Sequence, residues 1–181
     1  MIKVDVALVG DAKETLNSLL KLINKTSHLA WSEQIKKWKK DFPLNHDADK
    51  NGLSMQEVLY AIQDQSKGNA VYTTDVGQHQ MWASQFIKVD NPHNWLSSGG
   101  AGTMGYALPA SIGAQFARPD ELVIAIAGDG GFQMTIYELA TAAINKLPIK
   151  VFIMNNNYLG MVRQWQELFY DNRESGVDLY G

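Results

Sequence analysis

The sequence predicts an α/β fold in which an open parallel sheet carries helices on both faces. From Leu53 onward, segments with strand character alternate with segments whose apolar residues recur at helical spacing. One strand-like segment, LVIAIA at residues 122–127, is apolar throughout and has no polar face. Such strands are typical of parallel sheets, which helices cover on both sides.

The first part of the chain predicts the end of a separate domain. Residues 4–11, VDVALVGD, form a β-rich run, and the segment AKETLNSLLKLINK that follows places its leucines at helical spacing. One strand and one helix do not make a domain, so we expect residues 1–24 to be the tail of one.

Residues 25–53 predict an interdomain linker. Their second half, DFPLNHDADKNG, is rich in turn-forming residues, and their first half contains the basic amphipathic segment WSEQIKKWKK. The apolar side of this segment is short, which favours a helix with a solvated polar face over a membrane-surface or partner-binding helix.

Residues 54–181 predict the sheet itself as an incomplete domain, because the chain stops at GVDLYG without a clear terminal element. We therefore expect a fragment at both ends. The predicted helices are SMQEVLYAIQDQ, QHQMWASQF, residues 108–117, FQMTIYELATAAINK and MVRQWQELFY. The predicted strands are AVYTTDV, NWLSS, LVIAIAGD and KVFIMNN.

Composition excludes several classes of function as leading ideas. A formal net charge of −3 gives no basic field for nucleic acid, and no run of about 18 apolar residues is present to span a bilayer. The absence of cysteine rules out disulfides, thiolate zinc sites and cysteine nucleophiles. It also fits a reducing compartment, so we expect a cytoplasmic protein.

Two neighbouring strands are predicted to end in polar residues at the same edge of the sheet. Asp129 follows one strand, and Asn156 follows the next after a single helical crossover. A carboxylate, an amide oxygen and a backbone carbonyl from the turn after Asn156 are oxygen ligands that Mg²⁺ accepts. Gly130 and Gly131 let the chain turn into a helix whose free N–H groups favour a phosphate. The sequence therefore predicts a magnesium-bound diphosphate here.

A glycine-rich stretch offers a second ligand hypothesis. Gly100, Gly102 and Gly105 form a G-x-G-x-x-G pattern before a predicted helix, which is typical of a dinucleotide-binding loop. Against that interpretation, NWLSS is a poor buried strand, and Asp129 is followed by glycines as if it marked the anion site itself.

The sequence segments around these residues resemble those of a known family. Gly-Asp-Gly followed after a crossover by Asn-Asn is similar to the thiamine diphosphate motif. TTDVGQHQMWASQF, SSGGAGTMGYALPASIGAQFA, GDGGFQMTIYELAT and NNNYLGMVRQWQELFY resemble acetohydroxyacid synthases, also called acetolactate synthases, over residues 73–170. Residues 1–24 are similar to the end of that family's middle domain. The departures are Gly131, where Ser or Ala is common, and a variable turn at Asn157 and Tyr158.

The resemblance implies the reaction and its partners. Members of this family decarboxylate pyruvate on thiamine diphosphate and transfer the two-carbon unit to pyruvate or 2-oxobutyrate, in branched-chain amino acid biosynthesis. It implies Mg²⁺ and FAD as further cofactors, a homodimer or tetramer, and a possible regulatory small subunit. The activating glutamate of the family belongs to a neighbouring subunit's N-terminal domain, and no second strand-end acid of residues 53–181 is expected to face the ring site. We therefore expect no turnover from this chain alone.

The resemblance also assigns roles to individual residues. Asp129, Asn156 and the backbone oxygen of Tyr158 would ligate the metal. The other implied thiamine diphosphate contacts are Gln78, His79, Gly102, Met104, Gly128, Gly130, Gly131 and Met161. The implied flavin contacts are Asp11, Ala12, Gly99 and Gly100.

Three residues carry the implied catalytic roles. In the family, Met104 bends the cofactor from beneath its rings, Met161 lies near the cofactor, and Trp165 contacts the second substrate. Without the resemblance, each of the three would be interpreted as ordinary core packing.

The polar candidates also have simpler interpretations. Asp129, Gln78 and His79 could be helix caps, and Asn156 a turn residue. His28, His46 and His93 stand at no metal-ligand spacing and are expected to be structural.

Three classes of function stay open. They are a piece of an acetolactate-forming enzyme, another thiamine-dependent decarboxylase or carboligase, and a non-catalytic remnant that binds cofactor or partner. The QWQ segment favours the first class over the second.

Overall fold

In the described part of the chain, four parallel strands form one sheet. The computed structural model describes residues 3–44 and 52–180. The chain divides into two compact units, Met1–Asn45 and His46–Gly181, and the sheet belongs to the second. Its strands are β1 (Val71–Thr74), β2 (Trp95–Ser97), β3 (Val123–Gly128) and β4 (Lys150–Met154).

Helices precede and connect the strands. The first unit contains α1 (Ala12–Leu20) and α2 (Leu29–Asp41). The second contains α3 (Met55–Ser66), α4 (Gln78–Phe86), α5 (Ala107–Ala117), α6 (Asp129–Thr135), α7 (Leu139–Ile144) and α8 (Gly160–Phe169). A capping box begins α3: the Ser54 hydroxyl accepts from the Glu57 N–H, and the Glu57 carboxylate accepts from the Ser54 N–H.

Helices cover both faces of the sheet, which lies in the strand order β2-β1-β3-β4. Alternate residues of β3 point to opposite faces, so Ile124 and Ile126 pack with Leu59 of α3. On the other face, Ala125 packs with Ala107 of α5. Every residue of β1 and β3 is buried. The predicted α/β class and the buried LVIAIA strand are confirmed, and NWLSS forms the edge strand β2.

The strand predicted at residues 4–11 is wrong. Residues 4–10 are exposed and irregular, and Asp11 is the N-cap of α1, where its carboxylate accepts from the Glu14 N–H at 3.1 Å. A strand needs a hydrogen-bonded neighbour, and the described residues of the first unit contain no other strand.

The single long helix predicted for FQMTIYELATAAINK is also wrong. The structure breaks it into α6, a 3₁₀ turn at Ile136–Glu138, and α7. The break occurs at Thr135, whose backbone leaves the helical region at φ −132° and whose hydroxyl donates to the Gly105 carbonyl at 3.1 Å. This long-range hydrogen bond outweighs the helical periodicity of the segment.

The predicted linker contains the helix α2, which has no buried residue and an exposed Lys36–Glu33 ion pair. This agrees with the solvated helix predicted for WSEQIKKWKK. Residues 45–51 of the linker, and with them His46, lie outside the described residues. Across residues 3–44 and 52–180, none of the helices has the length and apolar character needed to span a bilayer.

Candidate functional site

The carboxyl ends of β3 and β4 bring the predicted metal ligands together. These strands are hydrogen-bonded neighbours, and Asp129 begins α6 directly after β3. Its Oδ2 accepts from the Asn157 N–H at 2.7 Å. A charged acceptor makes this a comparatively strong hydrogen bond, which fixes the Asn turn beside the carboxylate.

The Asn turn is ordered by its own side chains. Asn155 Oδ1 accepts from the Asn157 N–H at 3.0 Å, and Asn156 Oδ1 accepts from the Tyr158 N–H at 3.1 Å. Asn157 adopts φ 63°, a left-handed conformation that asparagine tolerates. The turn thus holds Asn156 and the Tyr158 backbone close to Asp129.

Residues 177–179 pack against this turn, where no terminal element was predicted. The Leu159 N–H donates to the Val177 carbonyl at 2.8 Å, and the Leu179 N–H donates to the Asn157 carbonyl at 3.0 Å. An antiparallel bridge pairs Tyr158 with Asp178. Residues 177–179 therefore hold the Asn turn through backbone pairings.

The start of α4 contributes polar side chains to the same place. Gln78 Oε1 accepts from Asn156 Nδ2 at 3.4 Å, and Gln78 Nε2 donates to Gln164 Oε1 on α8 at 3.1 Å. Gln78 therefore joins three elements of the site: α4, the Asn turn and α8.

His79 is buried beneath this junction. Its ring lies against Gly77 and Gly128, where an added Cβ would come within 2.8 Å of Cε1 in each case. The side chain is 7% exposed, and burial lowers the pKa of His79 to about 4. Its Nε2 is buried without a hydrogen-bond partner among the described residues. A buried polar atom of this kind is costly unless a ligand satisfies it.

These residues line one cleft at the carboxyl edge of the sheet. Of the residues implied by the resemblance, the structure places eleven around it, of which ten are Gln78, His79, Gly102, Met104, Gly128, Asp129, Gly130, Gly131, Asn156 and Met161. Tyr158 also lines it. Their roles in binding and catalysis remain predictions, but their common location is a property of the fold.

Close packing around the cleft leaves no space for a side chain at Gly130 or Gly160. A Cβ at Gly130 would lie 2.9 Å from Leu159 Cδ2 and 3.6 Å from Met104 Cε. A Cβ at Gly160 would overlap the Gln78 and Asn156 amides. Larger residues at either position would displace side chains of the site.

Trp165, the third residue with an implied catalytic role, is not among the residues that line the cleft. Trp165 is one turn beyond Met161 on α8, is 58% exposed, and packs against Phe169 with ring centroids 5.1 Å apart. In this chain it is therefore a surface residue, which does not fit its interpretation as core packing.

The implied flavin contacts do not form a cluster in one unit. Gly99 and Gly100 are exposed in the turn after β2, within the second unit. Asp11 and Ala12 start α1 in the first unit. Their flavin role stays a prediction.

Sequence reasoning missed several residues that shape the cleft. Gly77, Leu159 and Gly160 line it, as do Val76 and Trp82. Gly77 has φ 154°, and the sequence signal for it was its place in VGQHQ, immediately before the polar pair.

Asp75 is a further missed residue. It directly follows β1 and is therefore a second strand-end acid. Its Oδ1 accepts from the Gly105 N–H at 2.6 Å, so the carboxylate is engaged with the glycine-rich loop. Burial raises the pKa of Asp75, although its backbone hydrogen bonds oppose that shift.

The donor set suits magnesium better than a transition metal. In the described parts of the chain, no group of three or more His, Cys, Asp or Glu side chains is placed to hold a metal ion. Asp129 and Asn156 supply one carboxylate and one amide oxygen, to which Tyr158 adds a backbone oxygen. Mg²⁺ is bound by few protein oxygens when phosphate and water complete its octahedron.

Comparison with known proteins decides the family. Residues 75–180 match the family described as thiamine pyrophosphate enzyme, C-terminal TPP binding domain. The chain belongs to this family. The match covers the glycine-rich stretch, both strand ends and the Asn turn, and it favours a thiamine diphosphate site over the dinucleotide interpretation of Gly100, Gly102 and Gly105.

Relatives of this thiamine pyrophosphate enzyme domain are named acetolactate synthase large subunit. The protein from Porphyra purpurea is 49% identical over 176 residues, which cover 94% of this chain and 30% of the relative. The protein from Cyanidium caldarium is 49% identical over 175 residues, covering 93% and 30%. The protein from Corynebacterium glutamicum is 46% identical over 183 residues, covering 98% and 29%. The chain thus spans about 30% of the length of the curated relatives it matches.

The cleft fits thiamine diphosphate on observations independent of the family match. The unpartnered Nε2 of His79 offers a polar contact, and His79 lines the same cleft as Asp129 and Gly130. The oxygen donors at the strand ends suit a magnesium-bound diphosphate. The residues present therefore fit the group that defines the family.

Proposed function

We propose that this chain forms the diphosphate-binding part of an acetolactate-forming enzyme. The observation that carries the proposal is that Asp129 is hydrogen-bonded to the Asn turn and lines one cleft together with Met104 and Met161. The names of the relatives support the reaction: decarboxylation of pyruvate, then transfer of the two-carbon unit to pyruvate or 2-oxobutyrate.

Binding of the cofactor is assigned to side chains at the strand ends. Asp129, Asn156 and the Tyr158 backbone oxygen would hold Mg²⁺, and Gln78 and His79 would contact the diphosphate. Because His79 is neutral at pH 7, it can donate or accept a hydrogen bond there without carrying a charge. The neighbouring glycines, Gly128, Gly130 and Gly131, would let the diphosphate approach the backbone.

The remaining cleft residues would position the reacting groups. When bound, thiamine diphosphate accepts the electron pair that a 2-oxo acid releases as it loses carbon dioxide. Met104 would support the rings of the cofactor, and Met161 would wall the cleft on the side of α8. Apolar walls of this kind exclude water from the reacting centre.

The partners of the complete enzyme are proposals of the same kind. Pyruvate and 2-oxobutyrate would be the substrates, in a homodimer or tetramer located in the cytoplasm. Because the relatives are named large subunits, a regulatory small subunit is a further proposed partner. FAD would reach this chain only at its edges, at Asp11, Ala12, Gly99 and Gly100.

The test is acetolactate formation from pyruvate by purified full-length protein with thiamine diphosphate and Mg²⁺. We expect acetolactate from the full-length protein, acetohydroxybutyrate when 2-oxobutyrate is added, and no product from the 181-residue chain alone. Release of acetaldehyde without acetolactate would instead identify another thiamine-dependent decarboxylase. Product formed by the isolated chain would contradict the expectation that an activating carboxylate lies outside it.

A further inference from the structure

The Asp75 carboxylate fastens the glycine-rich loop to the end of β1. Its own N–H donates to the Ile126 carbonyl at 3.0 Å, which continues the ladder between β1 and β3. Oδ1 accepts from Val76 N–H at 2.9 Å, Gly105 N–H at 2.6 Å and Tyr106 N–H at 3.3 Å. One buried oxygen thus joins the central sheet to a loop 30 residues further along the chain.

The loop that Asp75 holds carries Met104. Gly105 follows Met104 and has φ 82°, so the chain turns sharply at this point. Its N–H donates to Asp75, and its carbonyl accepts from the Thr135 hydroxyl at 3.1 Å. Both polar groups of Gly105 are therefore bonded to other elements, and the peptide that links it to Met104 is fixed on the Asp75 side.

Met104 lines the cleft from this fixed point. Its Cε lies 3.6 Å from where a Cβ at Gly130 would be. Moving the Gly105 peptide would therefore also move the adjacent Met104, which lines the cleft together with Asp129.

The second oxygen of the Asp75 carboxylate is confined beside α6. Asp75 is 1% exposed, and its Oδ2 is buried without a hydrogen-bond partner among the described residues. A Cβ at Gly131 would overlap the same carboxylate, so the first turn of α6 lies directly against it. A buried oxygen without a partner costs stability, which an apolar residue at this position would avoid.

We propose that Asp75 is a positioning residue that sets the height of Met104 in the cleft through the N–H groups of Gly105 and Tyr106. The proposal rests on the proposed function, because Met104 is assigned there as the support of the cofactor rings. Asp75 would act through the loop, because it is not among the residues that line the cleft.

The first test measures the loop without cofactor or substrate. Amide hydrogen exchange is compared in the full-length protein for the wild type, Asp75→Ala and Asp75→Asn. We expect exchange at Gly105 and Tyr106 to rise about tenfold or more in Asp75→Ala, because a bond to a buried acceptor is lost. Asp75→Asn keeps the acceptor oxygen and should stay near the wild type. Unchanged Gly105 exchange in Asp75→Ala would overturn the proposal, whatever reaction the enzyme catalyses.

Gln115→Ala is the matched control for this test. Gln115 is as buried as Asp75 and anchors a different loop through the carbonyls of Arg118, Pro119 and Glu121. Its loss should leave exchange at Gly105 unchanged. An equal rise in Gln115→Ala would mean general loosening and would overturn the specific role of Asp75.

The second test measures turnover in the full-length holoenzyme. Asp75→Ala should lower kcat about tenfold or more, since small displacements near a reacting centre slow catalysis steeply. KM for pyruvate should change little, and Asp75→Asn should restore kcat. In a Met104→Ala background, Asp75→Ala should add little further loss, because the two residues act in series.

The outcomes separate this proposal from the proposed function. Full additivity of Asp75→Ala with Met104→Ala would overturn the positioning role. If Asp75→Ala does not fold, Asp75→Asn with kcat reduced as much as by Met104→Ala would also overturn it. A wild-type enzyme that forms no acetolactate would contradict the proposed function, while exchange at Gly105 still decides the role of Asp75.

Discussion

At the scale of the residue, the fold takes two titratable groups beside the cleft out of water. His79 and Asp75 are both buried beside the cleft, and their pKa values move in opposite senses because burial disfavours the charged form of each. His79 is thereby kept neutral near pH 7. The two shifts also have opposite consequences for stability as the pH falls.

His79 makes stability depend on pH between about 6.5 and about 4. The unfolded chain takes up a proton at the higher value and the folded chain only at the lower one, so the contribution of His79 is present above pH 6.5 and lost as pH falls. We expect the free energy of unfolding to drop by about 3 kcal/mol more in the wild type than in His79→Gln between pH 7 and 4. Denaturant titrations at each pH measure this difference.

Comparing the two proteins removes the other titrating groups from the result. Asp75, whose raised pKa favours the folded state as the pH falls, contributes equally to both. Parallel stability curves for wild type and His79→Gln would show that His79 titrates normally in the folded chain.

Trp165 gives a prediction about acceptor choice. Its exposed indole on α8 offers a rigid apolar surface, and one extra methylene against such a surface is worth about 1–3 kcal/mol. Trp165→Leu in the full-length enzyme should therefore lower the preference for 2-oxobutyrate over pyruvate about tenfold, with decarboxylation of the first pyruvate nearly intact. The ratio of acetohydroxybutyrate to acetolactate at fixed substrate concentrations measures it.

Leu168→Ala is the control for Trp165, since Leu168 is another exposed apolar side chain of the same helix. It should leave the product ratio unchanged. An unaltered ratio in Trp165→Leu would remove Trp165 from the acceptor site.

At the scale of the element, the sequence predicts best where local and long-range preferences agree. The helix from Met55 to Ser66 has an N-cap, an acid in its first turn and an apolar face, which all indicate the same helix. It forms close to where the sequence predicts it. The helix after Asp129 was predicted too long, because its break depends on a bond from Thr135 to Gly105 that periodicity cannot reveal.

The capping box of α3 supplies the prediction at this scale. Ser54→Ala removes the acceptor for the Glu57 N–H and should destabilise the protein by about 1 kcal/mol, because α3 packs Leu59 and Ile62 against the sheet. The midpoint of urea unfolding should fall while the slope stays constant. Ser84→Ala, at an exposed serine inside α4, should change the midpoint far less. An equal shift in both variants would contradict the role of the cap.

At the scale of the whole molecule, the order of strands determines the site. Placing β3 beside β4 brings Asp129 to the Asn turn, and placing β1 beside β3 brings α4 to the same edge. The sequence predicted that Asp129 and the Asn turn lie together, because they follow two strands joined by one crossover. It did not predict that residues 177–179 support the turn. The hydrogen bonds concerned join backbone groups, so the pattern of side chains does not reveal them.

The strand predicted at residues 4–11 shows the limit of local pattern at the same scale. Its residues have strand character, but the described residues of the first unit supply no neighbour with which to form a ladder. Pattern therefore predicts an element only together with the partner that completes its hydrogen bonds.

We propose that Asp129 and the Asn turn hold a magnesium-bound thiamine diphosphate. Calorimetry of thiamine diphosphate binding to the full-length protein, with and without Mg²⁺, tests it most directly. Asp129→Ala should abolish the magnesium-dependent binding, because a site with so few protein oxygens has no substitute for the lost carboxylate. Asp120→Ala, at an exposed acid outside the cleft, should bind as the wild type does. Unchanged, magnesium-dependent affinity in Asp129→Ala would contradict the claim.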